Sequence, residues 1–125
     1  MTRRKSNETT GRREAAGEAN RTDEARYTLI LYPVRKKLDI SIAEYCLVDS
    51  VHKLSNARSS IAGWCVASKE DLGQSLGFAR QSIHVLIKRL REDGLLEVQP
   101  QTGYLRATSK WIDAVEVAKA LVLAQ

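Results

Sequence analysis

The stretch at residues 77–94, "GFARQSIHVLIKRLREDG", leaves this chain few options. Ile83, Leu86, Ile87 and Leu90 recur at helical spacing and have to bury one side of a helix. Gly94 supplies the left-handed residue that stops it. The opposite side carries Arg80, Gln81, Ser82, His84, Lys88 and Arg89. Just upstream, Ser68 with Asp71 three residues on marks the start of a shorter helix over "KEDLGQSL", which Gly77 ends after about two turns. Two helices joined by one tight turn are therefore expected, the second strongly amphipathic.

The flanking segments extend this pattern. "LLEV", the turn "QPQTG" and "YLRAT" read as a β-hairpin, the wing, spanning about 95–108. After it Ser109 is expected to cap a last helix over about 110–123, with Trp111, Ala114, Val115, Ala118, Leu121 and Val122 on one stripe. Before the two helices, "ARSSIAGWCVA" reads as a loop running into a short extended segment at Trp64–Val66. Farther upstream, Ser41 and Glu44 form a capping box, with Ile40 and Tyr45 placed as its hydrophobic staple. The helix they open carries Ala43, Cys46, Leu47, Ser50, Val51 and Leu54 on one side and ends near Asn56. "YTLILYP" is a β-rich run closed by Pro33, followed by the basic patch Arg35-Lys36-Lys37. The fold class expected is mainly α with a small antiparallel β-sheet (α+β). No internal repeat is present.

Residues 1–26 contain no Val, Ile, Leu, Phe, Tyr or Trp. Such a segment cannot bury enough surface to offset its ordering entropy and is expected to be a flexible basic, polar arm. Positions 1–13 hold five basic residues against one acid, a balance of +4, whereas 14–26 balance at −2. The arm either follows phosphates or enters a minor groove, or it only solubilises the chain. The remaining residues, 27–125, are the right length for one domain.

A net charge of +5 suits an anionic partner, nucleic acid or membrane surface, without setting a fold. The longest apolar runs, "LILYPV" and "ALVLA", are too short to span a bilayer. The N-terminal charges are not followed by the apolar stretch of a secretory signal. Cys46 and Cys65 are too few for a disulfide framework and read as reduced thiols. A soluble cytoplasmic protein is expected, nucleoid-associated when bound to DNA.

From residue 41 the order is helix, short strand, helix, tight turn, helix, hairpin, helix. Its middle part, "SKEDLGQSLGFARQSIHVLIKRLREDGLLEV", resembles the winged helix-turn-helix family of DNA-binding domains, over roughly residues 41–108 and with an extra C-terminal helix. An extended segment ending in Pro, a basic step and "LDISIAE" opening the first helix look like the N-terminal winged-helix domains of phage and plasmid replication initiators. The resemblance implies double-stranded DNA as partner, with a role in transcriptional control or origin recognition for a phage or other mobile element. It also implies that helix 79–93 is the recognition helix. One departure is Ala79, where the family usually places a capping Ser or Thr. Losing that cap costs about 1 kcal/mol.

A major groove presents each base pair as a distinct pattern of donors, acceptors and methyl groups. Arg80, Gln81, Ser82, His84, Val85 and Lys88 are the candidates to read it. Gln suits adenine, Arg guanine, and an exposed Val a thymine methyl. The alternative for Val85 is that it covers part of a neighbouring loop. Ser68, Lys69, Arg89, Tyr104 and Arg106 are candidates for phosphate contacts that set register, or they are ordinary surface groups. Arg35, Lys36 and Lys37 are weaker candidates. On the last helix, Trp111 is expected to pack within the chain, while Leu121, Val122 and Leu123 are candidates for contact with a second copy, a homodimer.

Catalysis is not expected. "GQSLG" at 73–77 fits G-x-S-x-G, but helix instead of strand precedes Ser75, and no acid lies between it and His84. Cys46, His52, Cys65 and His84 lack the close pair that a zinc site requires, and there is no G-x-x-x-x-G-K loop. No cofactor, metal, membrane or small-molecule ligand is expected. The rival function is a winged helix used for protein interaction without DNA, since fold alone does not settle function.

Overall fold

A computed structural model describes residues 27–123. Five helices and one hairpin follow in order: α1 Tyr32–Leu38, α2 Ile42–Ser55, α3 Lys69–Leu76, α4 Arg80–Glu92, β1 Leu96–Val98, β2 Leu105–Ala107 and α5 Ser109–Leu123. The chain is thus mainly helical with a small antiparallel sheet. The arm expected over residues 1–26 lies outside the described residues. Among the described residues no helix is long and apolar enough to cross a membrane.

The helix α2 is the hub. Its capping box is formed as expected: Ser41 Oγ accepts from the Glu44 N–H at 3.1 Å and Glu44 Oε1 from the Ser41 N–H at 2.8 Å. Ile40 and Tyr45, the expected staple, are both buried, as are Leu47, Val48, Val51 and Leu54. The helix packs against α3, α4 and β2, which brings the two-helix unit and the hairpin onto one core. Tyr45 meets Trp111 of α5 edge to face, with ring centroids 4.9 Å apart at 77°. Trp111 is therefore an internal residue.

Two local expectations are corrected. The run "YTLILYP" is not a paired strand: residues 27–31 have no strand partner and α1 begins at Tyr32, with Pro33 inside its first turn. The physical reason is that proline's fixed φ and missing N–H suit the first turn of a helix. The Tyr45 hydroxyl meanwhile replaces a ladder partner. It accepts from the Leu31 N–H and donates to the Leu29 carbonyl, both at 3.1 Å. Arg35, Lys36 and Lys37 consequently occupy the last turn of α1, which packs on α5. At the other end, Ser109 is the first residue of α5 rather than its cap. The Thr108 carbonyl accepts from the Trp111 and Ile112 N–H groups, and the Thr108 hydroxyl donates to the Gly94 carbonyl at 2.6 Å.

The hairpin pairs Leu96 with Ala107, Glu97 with Arg106 and Val98 with Leu105. The extended segment expected at 64–66 contributes two isolated bridges, Trp64 to Ile61 and Cys65 to Leu105, the second joining it to the hairpin. Cys65 is fully buried, and desolvation pushes its thiol up to about 11. Cys46 is half-buried and its thiol is also raised, chiefly by desolvation.

Candidate nucleic-acid interface

The positioning of α4 starts at Ser68, whose hydroxyl accepts from the Asp71 N–H at 3.0 Å and opens α3. The helix closes on Gly77 in the left-handed region, φ 77°. Both Gly77 and Phe78 direct their N–H groups to the Gly73 carbonyl, the latter at 2.8 Å. This doubled bond turns the chain into α4 within three residues. The turn rests directly on α3: a Cβ at Gly73 would stand 3.0 Å from the Phe78 carbonyl oxygen and 3.3 Å from Ile83 Cγ1. Gly73, inside the "GQSLG" stretch, is thus a packing residue. Ser75 lies on α3 and is exposed.

On α4, Ile83, Leu86, Ile87 and Leu90 are buried as the spacing requires. Arg80, Gln81, Ser82, His84, Val85, Lys88 and Arg89 are all exposed. Val85 stays 47% exposed, so no neighbouring loop closes over it. Ala79 stands at the N-cap without a side-chain hydrogen bond. Between Arg80 and Arg91 the helix carries four Arg or Lys residues and no acid. Among the described residues no hydrogen bond or ion pair engages the side chains of this outer face. Their donors are available to a partner.

The other candidates are distributed unevenly. Lys88 borders a shallow cleft of about 520 Å³ between α4 and β1, together with Arg91, Glu92, Leu96, Glu97 and Val98. The helical spacing alone does not mark Arg91 as a contact residue. Its signal is a basic side chain in the last helical turn, where it also complements the helix dipole. Arg106 is committed within the sheet: its Nε donates to Glu97 Oε2 at 3.2 Å and its guanidinium lies 4.0 Å from the centre of the Trp64 ring. Tyr104 is half-buried at the end of the wing turn, where its N–H meets Thr102 Oγ1 at 3.2 Å. Ser68 and Lys69 are exposed at the start of α3, with Glu70 and Asp71 in the same turn. Leu121, Val122 and Leu123 are exposed on the far end of α5. Among the described residues no group of three or more His, Cys, Asp or Glu is placed to hold a metal ion.

Helix, bridge, helix, turn, helix, hairpin and helix in that order make a winged-helix-like layout, with α4 as its exposed second helix. Comparison with protein-family models, curated proteins and solved structures gives no match.

Proposed function

We propose that the chain binds double-stranded DNA by placing α4 in the major groove, with preference for sequence. The observation that carries this reading is the outer face of α4. Its polar side chains are exposed and unengaged, its basic groups have no intervening acid, and its inner face is buried. Arg80, near the helix start, suits guanine; Gln81 suits adenine; Val85 suits a thymine methyl. Ser82, His84 and Lys88 extend the same surface. Phosphate contacts come from Arg89 and Arg91 on α4 and from Ser68 and Lys69 on α3, with Tyr104 at the wing. Arg106 contributes mainly by stiffening the wing, given its bond to Glu97 and its stacking on Trp64. Basic residues of the arm add charge. Transcriptional control or origin recognition on a phage or other mobile element is the role that the initiator-like order of segments implies.

The test is fluorescence anisotropy of a random duplex across several salt concentrations, followed by selection of bound sequences. The three cationic phosphate contacts, Lys69, Arg89 and Arg91, would give a log K against log salt slope of roughly −2.7 through counterion release. Gln81→Ala with Lys88→Ala should lose the selected-site preference while circular dichroism is unchanged. A protein-interaction module would show no salt-dependent binding even at low ionic strength, and that result would reject the proposal.

A further inference from the structure

The last helix carries two stripes, of which the core uses one. Trp111, Ala114 and Ala118 face inward and are buried. Ile112, Val115, Lys119 and Val122 form the second, at intervals of three, four and three residues, the repeat of a helix–helix seam. These four line one wall of a groove of about 440 Å³. Tyr27, Leu29 and Leu31 form the opposite wall, and the Tyr45–Trp111 ring pair lies below. Leu29 is 72% exposed, Val122 48% and Leu123 84%. An apolar groove bordered by such a seam is shaped to receive another helix.

We infer that the occupant is α5 of a second copy, lying antiparallel in the groove, so that two chains associate about a two-fold axis. Two observations select this occupant. Residues 1–26 hold no Val, Ile, Leu, Phe, Tyr or Trp, and beyond Met1 only alanines that are too small to fill the groove. The seam is also self-complementary in charge. Lys119 stands within an otherwise apolar row, and Glu116 lies one turn earlier on its flank; both are close enough to His52 to influence its titration. Neither Glu116 nor Lys119 makes an ion pair among the described residues. A two-fold axis at the level of position 117 reverses their order, setting each Lys119 level with Val115 of the other copy and within one residue of its Glu116. The same register sets Ile112 opposite Val122 of the other copy. A closed, isologous pair of this kind buries both grooves at once.

Sedimentation velocity on the full chain without DNA tests this, independently of the DNA reading. The wild type should show a concentration-dependent monomer–dimer equilibrium. Val122→Asp, Lys119→Glu and Glu116→Lys should each shift it to monomer, with helix content by circular dichroism unchanged because all three positions are exposed. Glu116→Lys combined with Lys119→Glu exchanges the charges and should restore the dimer. A wild type that stays monomeric at its highest soluble concentration overturns the inference. A dimer indifferent to Val122→Asp, or a double exchange that fails to restore association, also overturns it.

Discussion

Gly73→Ala measures how tightly the α3–α4 turn is built. Two effects oppose one another. Alanine gains about 1 kcal/mol over glycine in a helix interior. Against that, the new Cβ would sit 3.0 Å from the Phe78 carbonyl oxygen, inside ordinary van der Waals contact. That oxygen is backbone and cannot swing away as a side chain could. The turn is moreover clamped, because Gly77 and Phe78 both donate to the Gly73 carbonyl. Ile83 Cγ1, at 3.3 Å, closes a second side. Overpacking a well-filled site costs about 1–3 kcal/mol, and contact with clamped backbone belongs in the upper half of that range. The net expectation is a loss of about 1–2 kcal/mol, with Tm falling by roughly 4–8 °C per kcal/mol for a domain of this size. Urea unfolding followed by tryptophan fluorescence reads it directly. A variant more stable than wild type, by the helix-propensity gain alone, would refute the reasoning: it would mean the turn has slack and α4 is not rigidly set.

Three other perturbations address separate elements. Tyr45→Phe removes the hydroxyl that serves both Leu29 and Leu31, and should cost about 1–3 kcal/mol; amide exchange at Leu31 unchanged from wild type would contradict the role given to that hydroxyl. Ala79→Ser supplies the missing cap of α4 and should stabilise the fold by about 1 kcal/mol in urea melts. For Cys65, the folded thiol is raised to about 11, so at alkaline pH the unfolded chain loses its proton first. The stability contributed by the buried neutral thiol is thus present below the unfolded pKa near 8.5 and is lost as pH rises toward the folded value. Melts at several pH values between about 8 and 11 should fall more steeply for wild type than for Cys65→Ala, and equal slopes would count against the burial argument.

The parts legible in the sequence are those whose causes are local. Ser41 with Glu44 and Ser68 with Asp71 announce two helix starts because a capping side chain bonds a backbone N–H three residues away. The spacing of Ile83, Leu86, Ile87 and Leu90 is enough to separate the buried from the exposed side of α4, and the same division leaves Val85 on the wet face. Turn signals and alternating apolar residues likewise place the hairpin. "YTLILYP" was misleading because β propensity describes side chains suited to a pleated surface, whereas strand pairing needs a neighbour that lies elsewhere in the chain. The hydroxyl of Tyr45, fourteen residues beyond Leu31, takes that neighbour's place.

Contacts between residues distant in sequence were decided only by the folded chain. Arg106 reads as a free wing cation until Glu97 and Trp64 are brought against it. Gly73 reads as a weak point in a helix until the backbone of Phe78 is seen resting on it. On α5 the sequence shows one broad apolar stripe; packing of Trp111 against Tyr45 divides it into an inner row that is consumed and an outer row that lines a groove. Periodicity reports which residues share a face, since that follows from helix geometry alone. Which face is covered, and by what, depends on the positions of other elements, and those exist only once the chain has folded.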